Sequence, residues 1–243
     1  MKVKRLIKMV ALSLIIANSY LAMAIEQQQF SGINQLTFYN DKFNKEFVGN
    51  GFLIKHKSKI YAVTVKHALL EAQTPKMKKV YIKDHIKSWQ IHPNKVTGKE
   101  VVLGKLINSD KNEAIDMKVL KKDWLVFELE SNNSNLVPLE LRKLALVKGE
   151  RLTAYGCSYA NQAICIQDKY DGHYISSEAN NLRVDMSDLD LSQLRGLSGS
   201  PVVDRNGLLV GIVSNVMKSK SGEGFDFAPA NLNYLLDVLV KID

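Results

Sequence analysis

Cysteine is scarce in this chain. Only Cys157 and Cys165 occur among its 243 residues. Between them lie the seven residues Ser158-Tyr159-Ala160-Asn161-Gln162-Ala163-Ile164, a gap that excludes the Cys-x-x-Cys redox pattern. In an exported protein the pair is expected as a disulfide closing a small hairpin loop, the alternative being two reduced thiols. Long hydrophobic runs are lacking too. The apolar stretch at residues 9–17 is far short of the ~20 residues that a bilayer core requires, so no membrane span is expected. No cysteine follows that stretch to carry a lipid anchor. No internal repeat or low-complexity tract is present. The formal charge of +8 is not accompanied by the aromatic-interleaved basic patch of a nucleic-acid surface. The lysines alternate with acids, so the expectation is a solvated basic surface and no nucleic-acid partner. His85 and His92 fall in a polar, Lys-rich stretch without the companions and spacing of a metal site. No metal and no cofactor is expected.

The N-terminus carries a positive pattern. Met1-Lys2-Val3-Lys4-Arg5-Leu6-Ile7-Lys8 is a basic lead, the apolar stretch follows, and Ala22-Met23-Ala24 supplies the small-x-small pattern of a signal-peptidase site. Residues 1–24 are therefore expected to be a secretory signal cleaved after Ala24, and the protein to be secreted or periplasmic, without a stable membrane anchor. Setting aside Lys2, Lys4, Arg5 and Lys8 lowers the formal charge to about +4. The remaining residues 25–243 suit one all-β domain with its own core, with no room for an added peptide-binding domain after the last helix.

Short apolar runs separated by polar turns read as an all-β protein. Strands are expected at 35–39, 51–55, 59–65, 80–82, 101–107 and 124–129. A second set is expected at 151–156, 163–168, 173–177, 182–185, 201–203, 208–214 and 225–228. Leu232, Leu235, Leu236, Val238 and Leu239 are spaced for an amphipathic helix over 231–242. A short helical turn is expected at 66–71. The polar stretch Ser131-Asn132-Asn133-Ser134-Asn135 divides the chain, and residues 71–100 read as loops with a weak hairpin.

Three segments carry chemistry. Gly196-Leu197-Ser198-Gly199-Ser200-Pro201 precedes a hairpin, and a serine between glycines can sit exposed on a tight turn. His67 follows the β-branched run that ends at Val65. Asp123 directly precedes the alternating run Trp124-Leu125-Val126-Phe127. Each alone reads as an ordinary turn, a surface histidine and a solvated strand-start acid. Together they supply a nucleophile, a base and an orienting acid, which acyl transfer by serine needs. Asp116 is a rival for the acid, but Met117-Lys118-Val119 after it is the poorer strand.

In this order (His, Asp, Ser) the chain resembles the trypsin-like, chymotrypsin-fold serine peptidases of bacterial type. Gly196 to Pro201 is similar to the Gly-Asn-Ser-Gly-Ser-Pro of glutamyl endopeptidases and high-temperature-requirement proteases. Val63-Thr64-Val65-Lys66-His67-Ala68 resembles Leu-Thr-Ala-Ala-His, and Asp123-Trp124-Leu125-Val126-Phe127 resembles Asp-Ile/Leu-Ala-Val-Leu. Gly49-Asn50-Gly51-Phe52-Leu53-Ile54, residues 148–156 and residues 224–229 add further similar stretches. The resemblance implies two six-stranded antiparallel β-barrels with a C-terminal α-helix, the first over about 30–130 and the second over about 136–243, with the site in the cleft between them. It implies Ser198 as nucleophile, His67 as base and Asp123 as orienting acid. Gly196 and Ser198 would give the backbone N–H groups of an oxyanion hole. Ser214 and the following Asn215 would lie along a polypeptide substrate. The alternative is a non-catalytic member of the fold that binds a peptide or partner protein.

Two residues depart from the pattern. Lys66 stands where a small residue is usual, and its ammonium is expected to reach outward into water. Leu197 stands where animal trypsins carry an Asp that captures a new N-terminal amine. Leucine cannot form that ion pair, so activation by N-terminal insertion is not expected. Leu194, Arg195 and Asn215 offer no deep acidic group that would demand Lys or Arg in the substrate. Arg195 is expected to face solvent.

Overall fold

The computed structural model describes residues 28–93, 98–161, 163, 165–186, 191–219 and 224–242. The expected signal segment, residues 1–24, lies outside them. The first half contains β1 (Ser31–Phe38), β2 (Asn50–His56), β3 (Lys59–Thr64), α1 (Ala68–Ala72), β4 (Lys79–Val80), β5 (Ile86–His92), β6 (Val101–Leu106), β7 (Asp110–Ala114) and β8 (Leu125–Asn132). Strands β1, β5, β6, β8, β3 and β2 pair in that order, and β2 returns to β1 through Ser31↔Phe52, closing six antiparallel strands. The short β9 (Leu139–Glu140) adds to β2 in parallel, and β4 and β7 form a separate two-stranded sheet.

The second half contains β10 (Arg151–Gly156), β11 (Asp168–Glu178), β12 (Asn181–Asp185), α2 (Leu191–Leu194), β13 (Pro201–Asp204), β14 (Leu209–Lys218), β15 (Phe225–Asn231) and α3 (Asn233–Val240). Its closed order is β10-β11-β12-β15-β14-β13. Two six-stranded antiparallel barrels with a C-terminal helix are the architecture the resemblance implied.

The apolar residues explain how the barrels are held together. Phe52, Leu53, Ile54, Ala62 and Val63 on β2 and β3 are fully buried. They share one cluster with Tyr155, Leu209 and Ile212 of the second barrel, and Phe30 meets Tyr155 at 5.1 Å between ring centroids. On α3, Leu235, Val238 and Leu239 join the same cluster, while Leu236 is exposed. Each such side chain contributes about 1.5–3 kcal/mol on burial. A second cluster, with Leu152, Ala154, Val184, Leu197, Val202 and Phe227, fills the second barrel. The two barrels therefore meet through apolar contacts of the first cluster.

Two expectations are corrected and a third is extended. Residues 71–100 hold a full barrel strand, β5, where loops with a weak hairpin were expected. A register break opposite Thr37/Phe38 disturbs its alternation, so its buried residues Ile86, Trp89 and Ile91 do not repeat with period two. No strand spans the expected 163–168 among its described residues. Cys165 is tied back to Cys157 and Ile166 is exposed, so the chain turns there and β11 begins only at Asp168. The strand expected at 173–177 is the middle of that longer β11.

Candidate active site

Two short segments, one after barrel strand β3 and one before barrel strand β8, bring His67 and Asp123 together. β3 ends at Thr64, and the chain turns so that His67 immediately precedes α1. A 3₁₀ turn (Met117–Lys122) delivers Asp123 just before β8. Trp124 beside it is buried and donates its indole N–H to the Asn231 carbonyl at 3.0 Å, which fixes the acid's position.

The Asp123 carboxylate is fully buried, so its oxygens must be met by donors. Its Oδ1 accepts the His67 backbone N–H at 2.8 Å. Its Oδ2 lies 2.6 Å from His67 Nδ1 and also accepts the Ser214 hydroxyl. An ionised carboxylate can only accept, so Nδ1 carries the proton. Nε2 is then the acceptor in its 2.8 Å contact with Ser198 Oγ. Asp116 takes no part: its side chain caps the 3₁₀ turn by accepting the Lys118 N–H at 2.8 Å.

Ser198 sits in a turn whose carbonyls are all tied. The Arg195 carbonyl accepts the Tyr159 N–H at 2.8 Å, and the Leu197 carbonyl accepts the Ser200 N–H at 2.9 Å. In a trans peptide the N–H points opposite its carbonyl. The N–H groups of Gly196 and Ser198 therefore point away from Tyr159 and Ser200. Gly196 has φ +90°, and a Cβ there would lie 2.6 Å from the Tyr159 nitrogen, so only glycine fits.

β14 supplies the remaining predicted residues. Its pairing with β15 is irregular between Ile212 and Asn215. Ser214 turns its hydroxyl onto Asp123 there, while Asn215 is exposed and its side chain accepts the Val216 N–H. Ser214 thus touches the acid through its side chain, and Asn215 does not join the cluster through its own.

Residues 49–212 match the trypsin-like peptidase domain family. The chain belongs to that family. Among solved structures it is similar to the serine endoprotease from Yersinia pestis, with a TM-score of 0.56 and 17% identity, over 91% of this chain and 66% of that one. At that identity the likeness is one of fold, and this chain spans less than two thirds of the other's length. No curated protein matches the chain.

Within this trypsin-like domain Leu197 is fully buried in the second barrel's cluster, so packing occupies the place of an ion pair. Cys157 and Cys165 are disulfide-bonded. The loop they close carries Tyr159, which the sequence did not single out. Its ring stands edge-on to Phe47 at 4.9 Å, and its hydroxyl donates to the Glu71 carboxylate at 3.0 Å. Burial, reinforced by Glu71, pushes its pKa up to about 12, so the phenol stays neutral and donating.

Lys66 corrects an expectation. Its side chain is fully buried rather than reaching into water, and its ammonium lies 2.8 Å from Glu113 Oε1 and 5.0 Å from the centre of the Tyr234 ring. Glu113 on β7 and Tyr234 on α3 come from distant parts of the chain and close over it, which no local pattern around Lys66 discloses. Arg195 is exposed, as expected. Among the described residues no group of three His, Cys, Asp or Glu side chains is placed to hold a metal ion.

Proposed function

We propose that this chain is a secreted or periplasmic serine endopeptidase that hydrolyses polypeptides through an acyl-enzyme. The observation that carries this reading is the unbroken line Asp123–His67–Ser198, with contacts of 2.6 and 2.8 Å. His67 Nε2 takes the Ser198 hydroxyl proton as Oγ attacks the peptide carbonyl. The imidazolium so formed faces the buried Asp123 carboxylate, which stabilises its charge. The carbonyl oxygen becomes an oxyanion that accepts the N–H groups of Gly196 and Ser198. Losing one such donor typically costs about 2.7–4 kcal/mol of transition-state stabilisation. The C–N bond then breaks, and His67 gives its proton to the leaving amine. Water repeats the sequence on the ester, with His67 again the base, and frees Ser198.

The backbone beside Ser214 and Asn215 offers an extended substrate a strand to pair with. The Ala22-Met23-Ala24 pattern and the disulfide support an oxidising, exported setting. The narrower likeness to glutamyl endopeptidases and high-temperature-requirement proteases rests on the residues 196–201 turn. A non-catalytic binder would lose nothing by discarding a triad member, whereas all three are present and aligned.

Purified protein tests this against an unfolded polypeptide substrate. Wild type should cleave it, Ser198→Ala should not, and Ser200→Ala should remain active. The Ser200 hydroxyl is buried with no hydrogen-bond partner among the described residues, so its removal disturbs little. Full activity of a contaminant-free Ser198→Ala protein would refute the assignment.

A further inference from the structure

We infer that Asn50 is the positioning residue that holds the oxyanion turn in its working shape. The inference rests on the proposal that Ser198 is the nucleophile and that the Gly196 and Ser198 N–H groups receive the oxyanion. The Leu197 side chain anchors the turn by packing but makes no polar contact, so hydrogen bonds must aim the turn's peptide groups. Of the four carbonyls at residues 195–198, Asn50 holds two. Its side-chain Nδ2 donates to the Gly196 carbonyl at 2.8 Å, and its backbone N–H donates to the Ser198 carbonyl at 2.7 Å.

The same amide also grips the disulfide loop. Nδ2 donates its second hydrogen to the Cys157 carbonyl at 3.0 Å, and Oδ1 accepts the Cys157 N–H at 2.9 Å. Two residues on, Tyr159 holds the Arg195 carbonyl. One planar group at the start of β2 therefore ties the Gly196 carbonyl and the disulfide loop to the first barrel, while the Asn50 backbone holds the Ser198 carbonyl. Asn50 is itself held, because its carbonyl accepts from Asn34 Nδ2 at 2.6 Å and from Thr64 Oγ1 at 2.7 Å.

The residue type follows from this arrangement. The position is fully buried and demands two donors and one acceptor in one plane. Asparagine supplies them. Aspartate has the same shape but, ionised, only accepts, and would face the carbonyls of Gly196 and Cys157. The preceding glycine fits the same picture. A Cβ on Gly49, at φ +67°, would lie 2.4 Å from the Ser198 oxygen, so the β2 start and the turn meet backbone to backbone. Without its carbonyl held, Gly196 has the freedom of any glycine, and its N–H loses a fixed aim. This accounts for Gly49-Asn50, a pair the triad chemistry leaves unexplained.

The test is Asn50→Asp, compared with wild type on an ester substrate and in fluorophosphonate labelling. A lost oxyanion donor predicts a fall in kcat and labelling rate of roughly 10²–10³. KM and the affinity for a non-covalent product peptide should stay within about threefold, because the substrate strand at β14 is untouched. The deficit against wild type should shrink as pH falls and the introduced carboxyl gains a proton to donate. If Asn50→Asp fails to fold, Asn50→Ser, too short to reach Gly196, carries the same expectation. An active wild type beside a folded variant with kcat within about threefold of it would overturn the inference alone. A folded wild type that neither cleaves nor labels would remove the proposed function, and this inference with it.

Discussion

The buried pair beside His67 makes an asymmetric prediction. Lys66 is fully buried, while the Glu113 side chain keeps 27% of its exposure. Glu113→Ala leaves an ammonium in the core with no carboxylate, and breaking a buried pair this way typically costs 3–5 kcal/mol. The Tyr234 ring at 5.0 Å offsets about 1 kcal/mol of that. The net is about 3 kcal/mol. For a chain of this size each 1 kcal/mol shifts Tm by about 2–4 °C, so the midpoint should fall by about 6–12 °C. Lys66→Met keeps the stem and removes the buried charge, and water reaches the remaining Glu113. That change should cost no more than about 1 kcal/mol, since apolar replacement of a buried charge is often neutral. The double variant should be close to Lys66→Met alone. Thermal and urea unfolding of the three proteins measure this. If Lys66→Met loses as much as Glu113→Ala, burial of the ammonium is not the dominant cost and the reasoning fails.

Three further outcomes follow from named contacts. Leu197→Asp places an unpaired carboxylate in the second barrel's core and should cost at least about 3 kcal/mol by urea unfolding, without raising activity; an unchanged midpoint would show that an acid has a partner there. Alkylation before reduction should modify neither Cys157 nor Cys165, and reduction should lower stability by about 2–3 kcal/mol for so short a loop. Tyr159 has its folded pKa raised above the ordinary 10.0 to about 12, so its contribution is complete below pH 10 and is lost as pH rises through 12. Tyr159→Phe should flatten the stability profile over that interval in alkaline unfolding, and an identical profile would exclude the effect.

Much of the fold was legible because its strands announce themselves locally. β3 and β8 are short apolar runs bounded by turns, and His67 and Asp123 stand where those runs begin or end. Ser198 was visible from its glycines. β5 was hidden because a register break spoils its alternation, and the polar, Lys-rich stretch before it resembles a loop. The stretch at 163–168 misled in the opposite sense, since an apolar run there serves a disulfide-closed turn. Lys66, Tyr159 and Asn50 share another reason. Their roles are made by partners far along the chain: Glu113 for Lys66, Arg195 and Glu71 for Tyr159, and Gly196 and Ser198 for Asn50. A side chain's own neighbours carry no record of such contacts. Gly49-Asn50-Gly51 was noticed as a likeness, but only the hydrogen bonds give its asparagine a task.

The central claim is that Ser198 is a nucleophile activated by His67 and Asp123. Intact-mass measurement of the folded protein after fluorophosphonate treatment tests it most directly, followed by peptide mapping of the adduct. The account predicts one adduct per chain, located on Ser198, and none on Ser198→Ala or His67→Ala under the same exposure. A folded wild-type protein that remains unmodified, or carries its adduct on another residue, would contradict it.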